Sequence, residues 1–172
     1  MAVIPAVVTN LARERWPKMV GGLLAHKVIS KYRVGEGGWI FNGITLQREP
    51  RVPDASLTDL DIITDASRPL ISKRYNVAEN FGWYEKNLNA GAPDFVFEPP
   101  TTLRVSCVLD NAEYNLENAG TLVYDVGGPY VAPEIWEIGL YDQDGVMVAY
   151  GTFPKETKTA AIQIENFVRL IY

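Results

Sequence analysis

The sequence predicts a mainly β protein, antiparallel and sandwich-like, with a short N-terminal helix, which makes it α+β by strict count. Apolar residues alternate with others through much of residues 101–172, the pattern of strands with one buried face. Clusters of glycine, proline, asparagine and aspartate separate these runs. A helix start signal lies near the N-terminus and predicts the short helix there.

The length and composition of the chain indicate one folded domain. Of its 172 residues, 47% are hydrophobic and 22% are charged, which is typical of a globular protein with a single core. We therefore treat residues 1–172 as one unit with three parts. These are an N-terminal helical segment (1–33), a long loop-rich excursion (47–100) and an antiparallel β core (101–172).

The charge and hydropathy of the chain argue against two classes of partner. The formal net charge is -5, whereas a protein that wraps nucleic acid needs a clustered basic surface. No window reaches the ~18 apolar residues of a membrane span, and no leader-like segment opens the chain. We therefore expect no nucleic-acid binding, no membrane insertion, and synthesis in a cytoplasm without processing.

The N-terminal segment predicts a short helix. Thr9 or Asn10 provides an N-cap, and residues 21–22, both glycine, mark a stop. Pro17 lacks an amide proton, so the helix should kink or restart there. Three glycines within residues 35–38 predict a turn or a backbone with unusual φ.

The excursion offers few regular signals. Residues 47–53 are polar and contain prolines, and residues 54–67 are acidic with little periodicity, so we assign no regular element to them. Residues 70–75 are predicted as a strand, and Phe95 and Phe97 begin another extended segment.

The β core begins with two predicted strands. Leu103, Val105, Cys107 and Leu109 alternate with other residues, and Asp110 ends the run. A second alternating run covers residues 122–126, before glycines and a proline break the pattern.

A β-hairpin is predicted next. Trp136, Ile138 and Leu140 are expected on one face of its first strand, and residues 146–150 form the second strand. Residues 142–145, Asp-Gln-Asp-Gly, form the turn between them.

The last segment, residues 159–172, fits either a strand or a helix by periodicity. Its β-branched and aromatic residues favour a strand. A strand of that length would span over ~40 Å, longer than a small domain usually needs. We therefore expect it to pair with a neighbouring subunit.

We predict no catalytic, cofactor-binding or metal-binding residues. His26 is the sole histidine, and Cys107 is the sole cysteine, so an intramolecular disulfide and a zinc site with paired thiolates are excluded. The glycines of residues 35–38 do not have the spacing of a phosphate loop. A calcium loop starting at Asp142 would need a carboxylate where Phe153 stands, so the hairpin turn is the better interpretation.

Carboxylates are plentiful in the excursion. A catalytic pair of carboxylates, as in a glycosidase, is compatible with the sequence, although no feature selects two of the four aspartates Asp54, Asp59, Asp61 and Asp65. A solvated acidic loop is the preferred interpretation.

Aromatic side chains are the candidate interface residues. Rings near glycines and prolines can stack on sugars or fill a protein interface, and core packing is the competing role for each. The predicted interface residues are Trp39, Phe81, Trp83, Tyr84, Trp136, Phe167 and Tyr172.

The predicted hairpin also carries a family resemblance. Residues 136–145, Trp-Glu-Ile-Gly-Leu-Tyr-Asp-Gln-Asp-Gly, and residues 148–155, Val-Ala-Tyr-Gly-Thr-Phe-Pro-Lys, resemble the signature of phage tail-collar fibre proteins. Those proteins are N-terminal fibre segments that attach to the tail. Weaker similarities occur in the same order at residues 9–10, 34–39, 103–110 and 166–170.

This resemblance implies a structural virion protein, usually a homotrimer, that joins a tail fibre to the baseplate. Because the chain ends directly after the final predicted strand, we expect an adaptor or short fibre. The implied partners are other copies of the chain, baseplate proteins and tail-fibre proteins. The implied location is the tail or baseplate of the virion, after synthesis in the host cytoplasm.

Two other functions are kept as hypotheses. The loop aromatics are compatible with a carbohydrate-binding module that recognises a host-surface glycan. The spare carboxylates are compatible with a hydrolase that acts on surface polysaccharide.

Overall fold

The structure is a computed structural model. It describes residues 2–60, 74–76, 83–89, 94–98, 101–111, 113–114, 122–124, 134–159 and 161–171. Its elements are β1 (Ala2–Pro5), β2 (Val7–Val8), α1 (Asn10–Val20), β3 (Ile29–Gly35), β4 (Trp39–Asn42), β5 (Gln47–Pro50), β6 (Arg74–Asn76), β7 (Trp83–Asn87), β8 (Phe95–Glu98), β9 (Thr102–Leu109), β10 (Leu122–Tyr124), β11 (Glu134–Asp142), β12 (Met147–Thr157) and β13 (Ile164–Ile171).

The predicted mainly β fold with a short N-terminal helix is confirmed. A five-stranded sheet has the order β2-β12-β11-β3-β7, and a four-stranded sheet has the order β1-β13-β9-β8. Two further pairs, β4-β5 and β6-β10, complete the described part of the chain. The pairing of β1 with β13 is parallel, so the four-stranded sheet is mixed, whereas the sequence predicted only antiparallel pairing.

The main core is built from side chains of both large sheets. It contains Ile4, Tyr32, Val34, Val105, Cys107, Leu109, Ile138, Leu140 and Val168, all nearly inaccessible to solvent. Hydrogen bonds also join the sheets directly. The carbonyl oxygen of Val108 accepts from the Tyr32 hydroxyl at 2.6 Å and from the Lys86 ammonium at 2.9 Å, and the Asn166 side-chain amide donates to Glu156 at 3.0 Å. Burial raises the pKa of the Tyr32 hydroxyl, which keeps it protonated as a donor.

Helix α1 begins and ends where the sequence predicted. The Thr9 hydroxyl accepts a hydrogen bond from the Ala12 amide at 3.2 Å, and Gly21 is the C-cap. The helix continues through Pro17 to Val20, so it does not restart at the proline. Among the described residues, no helix has the length and hydropathy that a membrane span requires.

Strand β11 lies at the centre of the five-stranded sheet, and its burial differs from the prediction. Every residue from Ile135 to Asp142 is buried, because both faces of the strand are covered. The register with β12 also shifts between Ile135 and Glu137. As a result, Ile135 shares the main core with Ile138 and Leu140, whereas Trp136 packs in a separate cluster.

The C-terminal segment is a strand, and it is shorter than the sequence predicted. β13 has eight residues, which span about 26 Å, and it begins only at Ile164. Ile164, Asn166, Val168 and Leu170 are its buried residues, so the predicted buried face is present and includes the polar Asn166. β13 pairs with β1 on one side and β9 on the other. Its edges are therefore used within the chain, which removes the length-based argument for pairing with another subunit.

The excursion is more regular than the sequence indicated. β5, β6, β7 and β8 all lie within residues 47–100, and β8 confirms the extended segment predicted at Phe95 and Phe97. Within the strand predicted at residues 70–75, the described residues belong to β6; the others lie outside the described residues. These strands are only three to five residues long, the partners of β6 and β7 are distant in the chain, and β5 itself has the polar sequence Gln-Arg-Glu-Pro.

Candidate assembly interface

The predicted hairpin is confirmed and is defined here as the signature hairpin, β11 and β12 with their turn (134–157). The Asp142 amide donates to the Val146 carbonyl at 3.0 Å, and the Asp142 carboxylate accepts from the Asp144 and Val146 amides at 2.9 and 3.0 Å. Gly145 has φ of +77°, a conformation that glycine adopts without steric cost. Asp142 therefore organises the turn as an internal hydrogen-bond acceptor.

The turn is also attached to the N-terminal segment. The Asp144 carboxylate contacts Arg15 at 2.5 Å and Lys27 at 2.9 Å. The side-chain hydrogen bonds from Lys27 and Arg15 lower the pKa of Asp144. This carboxylate thus links the signature hairpin to α1 and to the segment that follows it.

A buried glutamate explains two glycines of the predicted glycine turn. Glu137 lies in the interior, and its carboxylate accepts from the Tyr150 hydroxyl at 2.8 Å. A Cβ atom at Gly35 or Gly38 would lie within 2.6 and 2.7 Å of this side chain. Gly38 also has φ of +76°, which confirms the unusual backbone predicted there.

An arginine covers the opposite part of the same sheet face. The Arg33 guanidinium lies 4.3 Å from the ring centroid of Trp83 and 4.5 Å from that of Tyr141. It donates to Glu85 at 2.7 Å and to Asp59 at 3.1 Å. Burial raises the pKa of Glu85, but the hydrogen bonds and positive charges of Arg33 and Lys31 together outweigh burial, so the pKa of Glu85 is lowered overall.

The predicted interface tryptophans lie in the interior. Trp39 and Trp136 are buried with their ring centroids 6.4 Å apart, and the Arg48 guanidinium lies 5.3 and 5.6 Å from these centroids. Trp83 is buried beneath Arg33. Core packing, the competing role for these rings, is therefore the role that the described chain gives them.

The remaining predicted interface residues are spread over the molecule. Tyr84 is half-buried and stacks on Tyr114 with centroids 5.5 Å apart. Phe167 is half-buried with the Arg104 guanidinium 4.7 Å from its ring centroid. Phe81 and Tyr172 lie outside the described residues. An interface role for Tyr84 and Phe167 stays a prediction.

The acidic excursion is only partly described. The Asp54 carboxylate accepts from the amide and hydroxyl of Ser56, and Asp59 bonds to Arg33 and to the Tyr141 hydroxyl. Asp61 and Asp65 lie outside the described residues. Within the described part, no group of three or more His, Cys, Asp or Glu side chains is placed to hold a metal ion.

The exposed apolar side chains identify a different candidate surface, the apolar hairpin formed by β4, β5 and their turn (39–50). Ile44 is 95% exposed and Leu46 is 72% exposed at the tip, and Ile40 and Phe41 are half exposed on the strand. Leu46 has φ of +53°, which is unfavourable for a residue with a branched side chain. The chain thus displays two aliphatic side chains at a position where turns usually carry polar residues.

The apolar hairpin is held rigidly at its tip. The side-chain oxygen Oδ1 of Asn42 accepts from the Ile44 amide at 2.9 Å and from the Thr45 amide at 3.3 Å. The Asn42 amide group donates to Glu49 at 2.9 Å, and Glu49 also accepts from the Thr45 hydroxyl at 3.1 Å. These bonds fix the geometry in which Ile44 is presented to solvent.

The base of the apolar hairpin is fastened to the signature hairpin. Arg48 forms an ion pair with Glu134 at 2.5 Å, and the Thr152 hydroxyl donates to the Arg51 carbonyl. Burial raises the pKa of Glu134, but the hydrogen bond from Lys155 and the charge of Arg48 outweigh it and lower that pKa overall.

A concave surface lies beside α1, defined here as the helix groove. It has a volume of about 450 Å³, and its apolar lining includes Ala12, Trp16, Met19, Val148, Leu170 and Ile171. Trp16 is 57% exposed, Ile171 is 71% exposed, and no residue of α1 is fully buried. Arg13, Arg15, Lys27 and Asp142 provide its charged groups.

The predicted interface residues did not include the apolar hairpin or the helix groove, because the prediction considered only aromatic side chains. One available signal was the dipeptide Asn42-Gly43, which predicts a hairpin turn and therefore places Ile44 at its outer end. No comparable local signal marks the helix groove, since its lining comes from distant segments of the chain.

Comparison of the chain with protein-family models, with curated proteins and with solved structures finds no match in any of the three.

Proposed function

We propose that this chain is a structural, non-catalytic protein of a phage tail that joins a tail fibre to the baseplate or acts as a short fibre or adaptor. In this proposal it resides in the virion after synthesis in the host cytoplasm, assembles as a homotrimer, and binds baseplate and tail-fibre proteins.

The observation that carries the proposal is the role of the residues in the family-like signature. Asp142 and Gly145 shape the turn, Asp144 anchors α1, and Glu137 packs against the glycine turn. A resemblance whose residues each have a definite structural task is stronger support than shared composition. The signature therefore describes a scaffold, and contacts with partners are expected elsewhere on the surface.

The apolar hairpin supports an assembly role independently. A rigid turn that exposes Ile44 and holds Leu46 at positive φ is costly in an isolated chain. Burial of these side chains against a partner would offset that cost.

The test is co-expression of the full chain with the products of its neighbouring genes, followed by purification and mass measurement in solution. We expect neighbouring genes that encode baseplate and fibre proteins, a stable complex with at least one product, and a mass for the chain alone of three times 19.2 kDa. A monomer that binds none of these products would contradict the proposal.

Recognition of a host-surface glycan is the alternative, and the exposed ring of Trp16 beside the helix groove is the observation that favours it. Glycan-array binding that is lost in Trp16→Ala would support this function. Val20→Ala is the matched control, because Val20 is 73% exposed on the same helix but does not line the groove. Absence of binding by the unmodified chain would count against it.

A further inference from the structure

We infer that helix α1 is a salt-sensitive flap, which ion pairs rather than apolar packing hold against the rest of the chain. The ionic lock that holds it is defined here as Arg15, Lys27, Asp142 and Asp144. The flap is independent of the proposed function, because every contact that carries it lies within one chain.

Apolar packing holds α1 only weakly. No residue of the helix is buried, Trp16 is 57% exposed and Val20 is 73% exposed. Ala12 and Met19 line the helix groove of about 450 Å³, with Val148 of the five-stranded sheet on its other side. A helix that borders a groove of this size leaves many apolar contacts unmade, and elements with few buried contacts open most easily.

The ionic lock supplies the specific contacts of α1. The Arg15 guanidinium lies 2.5 Å from the Asp144 carboxylate and 3.4 Å from that of Asp142. Lys27, in the segment that follows the helix, contacts the other carboxylate oxygen of Asp144 at 2.9 Å. One exposed carboxylate thus connects both α1 and the segment after it to the turn of the signature hairpin.

Salt can weaken this lock without disturbing the turn. The side chain of Asp144 is 39% exposed and that of Lys27 is 24% exposed, so water and salt ions reach the pair. Asp142 is buried, and its carboxylate accepts hydrogen bonds from two amides of the turn. The Debye length falls from about 10 Å at 0.1 M salt to about 3 Å at 1 M, which is close to the separations within the lock.

The two ends of α1 are suited to act as hinges. Thr9 is anchored, since its hydroxyl donates to the Met147 carbonyl at 2.6 Å and its amide donates to the Val148 carbonyl at 3.1 Å. Beyond the other end, Gly22 has φ of +71° with nothing within 4 Å of a Cβ atom placed there, and most of residues 21–28 are exposed. The helix can therefore move about Thr9 while the exposed segment accommodates the movement.

Release of α1 changes two properties of the protein. It removes one wall of the helix groove and uncovers the sides of Val148 and Leu170 that line it. An isolated helix of 11 residues that contains a proline is also marginal in water, so the released helix loses its backbone hydrogen bonds. Hydrogen exchange of the amides of residues 13–20 therefore reports the release.

The first measurement is amide hydrogen exchange of the full chain, followed by mass spectrometry at fixed pH and at urea concentrations below the unfolding transition. We expect residues 13–20 to exchange at least about 100-fold faster than the amides of β9, after correction for intrinsic rates. Their exchange should also depend little on urea, because release of α1 exposes little surface, whereas the β9 amides exchange through unfolding of the main core.

The second measurement breaks the lock. Asp144→Asn should accelerate exchange of residues 13–20 about 3- to 20-fold at about 0.1 M salt, because Asp144 forms two ion pairs and an exposed pair contributes up to about fivefold. The unmodified chain should approach the rate of this variant at about 1 M salt, and the variant itself should depend little on salt.

Lys155→Gln is the matched control. Lys155 forms an exposed ion pair with Glu134 at 2.9 Å in the same hairpin, outside the lock. Because this pair persists when α1 is released, its loss should leave the exchange of residues 13–20 unchanged. Arg15→Gln and Asp144→Asn remove one ion pair in common, so together they should accelerate exchange by less than the product of their separate effects.

Three results would overturn the inference. They are equal protection of residues 13–20 and of β9, equal acceleration of residues 13–20 by Lys155→Gln and Asp144→Asn, and exchange of residues 13–20 that does not respond to salt. The first result would mean that α1 is released only when the whole fold unfolds.

Discussion

Close packing at Gly139 within the signature hairpin leads to a prediction with a definite sign. A Cβ atom at this position would lie 2.9 Å from the Met147 sulfur, 2.9 Å from the Tyr141 ring and 3.1 Å from Leu60. These neighbours form a buried cluster, so a methyl group added by Gly139→Ala has no free space to occupy.

The magnitude follows from two opposing contributions. Overpacking of a dense core costs about 1–3 kcal/mol, whereas alanine in place of glycine within a strand stabilises by about 0.5–1 kcal/mol. The two ranges combine to a net loss of up to about 2.5 kcal/mol, with a central value of about 1.2 kcal/mol that lowers Tm by about 2–5 °C for a chain of this size.

Gly43→Ala is the matched control. A Cβ atom at Gly43 has no neighbour within 4 Å, and its φ is not positive. The same substitution should therefore leave stability unchanged or raise it by about 0.4–1 kcal/mol through the unfolded chain.

Thermal unfolding followed by circular dichroism, with urea unfolding as a second measure, compares the two variants with the unmodified chain. Gly139→Ala is expected to be less stable than the unmodified chain, and Gly43→Ala is expected to be at least as stable. If Gly139→Ala were as stable as the unmodified chain, the steric explanation for glycine in this signature would be refuted.

Three further predictions concern bonds and burial elsewhere. Tyr32→Phe removes a hydrogen bond to the Val108 carbonyl, so urea unfolding should show a loss of about 1 kcal/mol; no loss would mean that Lys86 alone satisfies this carbonyl. The lowered pKa of Asp144 stabilises the fold above the ordinary carboxyl pKa, and this contribution is lost as pH falls through the lower folded value. Asp144→Asn should therefore be less stable than the unmodified chain at pH 7, with a difference that shrinks in acid; a pH-independent difference contradicts the ion-pair explanation. Burial raises the pKa of the Cys107 thiol, so a thiol reagent should modify it only in urea, and fast modification of the native chain would be inconsistent with its placement.

Much of the regular structure could be predicted from local signals. The Thr9 cap, the alternation in β9 and the Asp-Gln-Asp-Gly turn each depend on residues within a few positions of one another. Such signals act through backbone geometry and short-range hydrogen bonds, which are written directly in the order of residues.

Which apolar side chains are buried and which are exposed could not be predicted in the same way. Trp39, Trp83 and Trp136 stand beside glycines or in strands whose second face is covered only by distant segments, so their burial depends on packing across the whole chain. The dipeptide Asn42-Gly43 marks the turn beside Ile44, but the exposure of Ile44 depends on whether distant segments cover that turn.

The sequence alone determined the mainly β class, the N-terminal helix and the signature hairpin, because periodicity and turn chemistry are local properties. Only the tertiary structure decided that β13 pairs on both sides within the chain and that β11 is buried on both faces. Strand pairing and burial join residues far apart in sequence, and their choice depends on which surfaces exclude water together.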